Sequence, residues 1–134
     1  MINTILVKII MPSETIFQTD ATMVNIPGGG GVFGVLPGHA KLISTVQIGV
    51  VSVFAHGEKK KFFVSGGMAQ VAGSEVNIVT EFAASLEDQN KSDILNKIAE
   101  LKIELEAGDK TNLEATILEA SVSRYNSLLG FVGN

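Results

Sequence analysis

The side chains able to do chemistry are few: two histidines, one tyrosine, no cysteine and no tryptophan. His39 sits in Leu36-Pro37-Gly38-His39-Ala40, a turn-forming stretch with no adjacent acid or serine to make it a general base. His56 stands beside Gly57 and reads as a solvated turn residue. Two histidines without further placed ligands do not make a zinc site, so no metal is expected. The absence of cysteine excludes thiolate nucleophiles, zinc ribbons and a disulfide framework. The run Pro27-Gly28-Gly29-Gly30-Gly31 invites comparison with a phosphate loop. It lacks the Lys-Ser/Thr that follows in such loops and joins strand to strand, so no helix N-terminus faces an anion. A flexible turn is the better reading. Carboxylates fall mostly in the last third of the chain, at solvent-face spacing rather than as a paired acid and base. These residues argue against an enzyme acting alone.

Two periodicities position what chemistry there is. Up to about Thr80 the period is two: Ile5, Val7 and Ile9 alternate with Leu6, Lys8 and Ile10, as do Thr22, Val24 and Ile26 with Met23 and Asn25, and Val76, Ile78 and Thr80 with Asn77 and Val79. Glycine and proline punctuate these runs at Pro12, Pro27 to Gly31, Pro37-Gly38, Gly57, Gly66-Gly67 and Gly73. The N-terminal run from Met1 meets Pro12 before any small-residue cleavage site, so it reads as a first strand rather than a signal peptide. Two β-rich segments flank His56-Gly57-Glu58 and predict a hairpin in which Gly57 takes positive φ. Residues 1–84 are thus predicted to form an all-β, antiparallel sandwich or barrel.

From about Ser85 the period becomes helical. Ile94, Ile98, Leu101 and Leu105 share one stripe, with Asn90 or Ser92 as cap and Gly108 as a left-handed stop. Asp93 and Lys97 are spaced to pair along the helix. Thr111-Asn112-Leu113-Glu114 fits a capping box opening a second helix with Leu118, Val122, Tyr125 and Leu129 on its stripe. Residues 85–134 are predicted to form an antiparallel helical hairpin.

Residues 1–84 hold five lysines and five acids, which cancel, so the net charge of −4 resides in the last fifty residues. Only Lys59-Lys60-Lys61 is a cation cluster, and a solvated hairpin edge explains it better than a nucleic-acid partner. The longest apolar stretch, Gly30 to Phe54, is broken by Pro37, His39 and Lys41, short of the ~18 clean residues a spanning helix needs. Mean hydropathy is nonetheless +0.33 with 18% charged residues, a thin solvating shell that predicts a partner.

The stretch from Gly31 to Gly49, GVFGVLPGHAKLISTVQIG, resembles the G-x-x-G-x-x-P-x-H-A signature, with its closing glycine, of ATP synthase epsilon subunits. Downstream, FFVSGGMAQV from Phe62 to Val71 resembles their second signature, and the helical tail lies where that family has one. The resemblance covers nearly the whole chain. It implies a ten-stranded β-sandwich followed by two helices, a non-catalytic rotor part carrying torque between the membrane c ring and the gamma subunit. By resemblance, Pro37, Gly38, His39, Lys41 and Leu42, with a strand beginning at Lys41, belong to the gamma-facing region. Gly28, Gly29, Gly30, Gly31, Val32 and Phe33 form the loop that approaches the c ring. The helices imply contact with the catalytic beta and alpha subunits. The resemblance also implies a complex lying peripherally at the cytoplasmic face of the bacterial inner membrane.

Three positions depart from the family. Where ATP-binding members carry a D-x-x-R-A type motif, Asn90-Lys91-Ser92-Asp93-Ile94 puts an acid at the arginine position, so no ATP site and no cofactor are expected. Beyond Gly108 only Lys110 and Arg124 oppose Asp109, Glu114 and Glu119, so inhibition through contact with acidic loops is expected to be weak. Val32 stands where some relatives have an acid, which shifts the ring contact toward packing. Two other readings of the residues stay open: a β-sandwich binder holding a phosphorylated small molecule in its glycine loop, and an adaptor docking through its helices.

Overall fold

The structure, a computed structural model, describes residues 4–132. Residues 1–3, read above with the first strand, and residues 133–134 at the end of the tail lie outside the described residues. The chain forms two compact units, Met1–Glu87 and Asp88–Asn134.

The first unit holds eight strands: β1 (Ile5–Met11), β2 (Glu14–Ala21), β3 (Met23–Gly28), β4 (Gly31–Val35), β5 (Leu42–Ala55), β6 (Glu58–Ala72), β7 (Glu75–Val79) and β8 (Ala83–Ser85). They hydrogen-bond in the order β2-β1-β7-β6-β5-β3-β4, with β8 beside β6. The resemblance implies ten strands; the described residues form eight because β5 and β6 each run unbroken through both layers and serve twice. Their first-layer halves pair through Leu42↔Val71 to Val46↔Gly67, where β6 also meets β7. Their second-layer halves pair from Ile48↔Ser65 to Ala55↔Glu58, where β3 and β8 flank them. All pairings are antiparallel except that of β1 with β7, a correction to the purely antiparallel expectation. Chain order explains it, since the excursion through β2 to β6 returns the chain to β1 in the original direction.

Alternation delivers the core. Ile5, Val7, Ile9, Val24, Ile26, Val76 and Ile78 are wholly buried, joined by Val51, Val53, Val64 and Val71. Such β-branched side chains suit a pleated, half-buried surface. The β5–β6 hairpin closes through His56 (φ 53°) and Gly57 (φ 75°) between the paired Ala55 and Glu58. Two consecutive positive φ values are those of a type I′ turn, whose twist matches the strands it joins.

A short 3-10 turn, Leu86–Asp88, leads to the second unit, which contains α1 (Lys91–Glu106) and α2 (Asn112–Leu129). Of the two candidate caps Asn90 serves α1, its side chain accepting from Ser92 N at 2.8 Å and from Asp93 N at 3.4 Å. Thr111 Oγ1 accepts from Glu114 N at 3.1 Å, one half of the capping box. Gly108 takes φ 61° just after the α1 cap Ala107. Ile94, Ile98 and Leu101 are buried, and Leu105 is half-buried. On α2 the expected stripe is half-buried, while its neighbour Leu128 is wholly buried.

Candidate partner-binding surfaces

Segment 36–42 begins with a tight turn. His39 N donates to the Leu36 carbonyl at 3.0 Å, with Pro37 and Gly38 between them and Gly38 at φ 83°. Proline pre-sets the first central position and glycine supplies the positive φ of the second, a type II turn. The His39 ring is engaged locally through Nδ1, which donates to the Ala40 carbonyl at 2.7 Å. Pro37, Gly38 and His39 line an open recess with Thr4, Gly73 and Ser74. Lys41 is exposed and precedes β5, which starts at Leu42 rather than at Lys41 as expected.

The glycine run is the end of the β3–β4 hairpin, with Gly28 and Gly31 as the last pair and Gly29-Gly30 as the turn. Its glycines answer close approach as well as turning. A Cβ on Gly28 would lie 2.7 Å from Cε1 of the Phe33 ring, and one on Gly29 would lie 2.8 Å from Thr45 Oγ1. Phe33 packs against the core, whereas Val32 projects outward with 71% of its surface exposed. The two predicted surfaces do not merge. They attach to the same strand at Leu42 and, through Gly28↔Val46, four residues further along β5.

A third surface was not singled out from the sequence. On the outer side of the first layer Thr45, Met68, Val79 and Ile10 lie in register across four adjacent strands. Met68 and Val79 are about half exposed, and Ile43, one position back on the same side of β5, is 67% exposed. The signal was available: Ala69, Val71, Val76 and Ile78 point inward, so Met68 and Val79 must point out. Beside this row Lys8 Nζ pairs with Glu75 Oε1 at 2.9 Å.

The lysine run behaves as a hairpin edge. Lys59 Nζ lies over the Phe54 ring at 5.4 Å and Lys60 Nζ over Phe17 at 5.8 Å, stems laid along apolar surface. Among the described residues no group of three or more His, Asp or Glu is placed to hold a metal ion. No helix among them is long and apolar enough to cross a membrane. The helical unit exposes a second set of apolar side chains, Leu95 and Ile103 on α1 and Leu113 and Ile117 on α2. What these surfaces offer is contact area held on a stiff frame.

Residues 4–85 match the family described as ATP synthase, Delta/Epsilon chain, beta-sandwich domain. The chain belongs to this family. The ATP synthase epsilon chain of Rickettsia felis is 42% identical over 103 residues, spanning 75% of this chain and 92% of that one. That alignment is longer than the sandwich and so includes part of the tail. The ATP synthase epsilon chain of Nitratiruptor sp. is 32% identical over 123 residues, 91% of this chain and 95% of the relative. Among solved structures, a chain of the Euglena gracilis mitochondrial ATP synthase superposes with a TM-score of 0.66 at 22% identity, covering 97% of this chain and 82% of that one. At that identity the match speaks for the fold alone.

Proposed function

We propose that this protein is the epsilon subunit of a bacterial F-type ATP synthase, a non-catalytic rotor part that couples turning of the membrane c ring to the gamma subunit and the catalytic head. The observation that carries this reading is the 42% identity to a bacterial epsilon chain over nearly that protein's whole length. The Euglena match comes from an assembly of F1 with its c-ring, and a second, from Tetrahymena thermophila with a TM-score of 0.54, from a central stalk and c-ring. Transmission of torque asks for a stiff body gripped at two places. The continuous β5 and β6 supply the body, and surfaces that attach to β5 four residues apart supply the grips.

In this reading the gamma subunit meets Pro37, Gly38, His39, Lys41 and Leu42 together with the apolar row of Met68 and Val79. The hairpin from Gly28 through Gly31 to Val32 and Phe33 meets the c ring, with Val32 offering packing rather than charge. The complex sits peripherally at the cytoplasmic face of the plasma membrane, and the two helices reach the catalytic beta and alpha subunits. Residues 1–84 and 85–134 divide these tasks.

Tagged protein recovered from detergent-solubilised membranes is expected to bring down gamma and the catalytic subunits in fixed ratio. Recovery of the chain alone would overturn the reading. The acidic tail leads to a second expectation. Deleting residues 85–134 within the assembled enzyme should change ATP hydrolysis by less than about twofold, because a negative tail is poorly held by acidic loops. A several-fold rise in hydrolysis rate would contradict it.

A further inference from the structure

Downstream of Leu42, every passage of the chain between the two layers occurs at one level. β5 crosses at Gln47 and β6 at Gly66 and Gly67, and residues 80–82 carry the chain from β7 to β8. Hydroxyls tie this level together. Thr80, the only buried polar residue among those described, donates from Oγ1 to the Phe82 carbonyl at 3.1 Å and lies 3.4 Å from Ser65 Oγ. Phe82 N donates to Ser65 Oγ at 3.1 Å, and Ser65 N donates to the Phe82 carbonyl at 2.9 Å. Thr80 N is anchored in turn on the Ile10 carbonyl at 2.9 Å.

From this clasp a short path leads to the glycine hairpin. The residue before Thr80, Val79, presents its carbonyl to Gly67 so closely that a Cβ there would sit 2.0 Å from the oxygen. Gly67 pairs with Val46, and Val46 pairs with Gly28, where the hairpin begins. Among the described residues strand β4 has no neighbour except β3, and its turn is built of glycines, whose backbone entropy opposes any fixed geometry. A two-stranded hairpin is marginal by itself, so its geometry must be imposed from its base.

We infer that Thr80 and Ser65 are positioning residues for the Gly28–Phe33 hairpin: their hydroxyls fix the layer crossing, the crossing fixes Val46, and Val46 holds Gly28. The inference about geometry stands on the structure alone; its consequence for coupling rests on the proposed ring contact of the hairpin. A merely structural role for Thr80 would loosen the whole sandwich alike, whereas a positioning role acts along the path.

Amide hydrogen exchange on the full chain separates the two. In Thr80→Val, which keeps the shape and deletes the hydroxyl, amides of residues 28–34 and 46–48 are expected to exchange about tenfold faster, while those of residues 5–8 hold their rates. Thr80→Ser, which returns the hydroxyl, should restore the hairpin rates. Uniform acceleration, no acceleration, or a serine variant as loose as the valine one would each overturn the inference. Should Thr80→Val fail to fold, Ser65→Ala deletes the partner hydroxyl with a smaller change and carries the same test. A parallel measurement of protons pumped per ATP, at equal incorporation into the complex, tests the consequence. A loosened hairpin with undiminished pumping would support the positioning role and count against the ring-facing assignment. Lost pumping with unchanged hairpin exchange would overturn the positioning role.

Discussion

Alanine at position 67 is expected to destabilise the sandwich by about 3–5 kcal/mol, the sum of a forbidden backbone conformation and a steric collision. Gly67 has φ 140°, in territory that only glycine occupies without strain. The added Cβ would meet the Val79 carbonyl oxygen at 2.0 Å and its carbon at 3.0 Å. Neither side can retreat. Val79 is held between Met68 and Ile10, and Gly67 is held against Val46. A domain of this size has only about 5–15 kcal/mol of stability in total, so the variant should melt far earlier in urea or fail to accumulate. Gly57→Ala is the matched control. It has φ 75°, but among the described residues no atom beyond its chain neighbours lies within 4 Å of the added Cβ, so it should cost only about 1–2 kcal/mol. Equal urea midpoints for the two variants would mean that β6 does not run against Val79.

That collision marks the boundary of what a sequence reader sees. Ile5, Val7 and Ile9 declare an inward face by parity, and the structure buries all three. The His56-Gly57 turn and both helix caps are equally local, set by residues within a few positions of one another. The layer crossing is not local. In β6 the side chains that join the main core cluster, Phe62 and Val64, are even-numbered, whereas Ala69 and Val71 are odd-numbered, so the alternation changes phase in between. Glycine has no side chain with which to announce a face. Gly66-Gly67 therefore reads as a break between strands when it is a bend within one of fifteen residues. The parallel pairing of β1 with β7 leaves no local mark either, since nothing in either strand names its neighbour. At the hairpin the glycine run was legible as a turn. The reason for Gly28 was not, because it depends on where the Phe33 ring comes to rest. Family resemblance assigned contact to two segments but passed over the exposed apolar row through Met68 and Val79, which parity alone would have found.

Glutamate at position 68 is expected to leave the isolated chain folded while reducing recovery of the gamma subunit by about tenfold to a hundredfold. The two halves of this expectation have different causes. Met68 is 47% exposed on the outer side of the sheet, so a carboxylate there remains in water and should alter stability by no more than about 0.5 kcal/mol. Within an interface the same carboxylate is stripped of water between Thr45 and Val79, neither of which carries a cation to receive it. An unpaired buried charge costs several kcal/mol, which the other contacts of the face would have to offset. Met68→Leu keeps the apolar surface and should keep recovery, separating loss of packing from introduction of charge. Lys61→Glu, an exposed change of charge in the second-layer half of the same strand, should leave recovery intact and exclude a general electrostatic effect. The decisive comparison is the amount of gamma recovered from solubilised membranes per unit of tagged protein. If Met68→Glu recovers as much as the unmodified chain, the outer face does not meet gamma, and the segment from Pro37 to Leu42 must hold it alone. That alternative is physically strained, because three of those five residues belong to a tight turn in which the His39 amide is engaged on Leu36 and the His39 Nδ1 on Ala40. Such a turn offers shape but little apolar area. Apolar area lies instead on the sheet beside it, where Ile43, Met68 and Val79 are exposed.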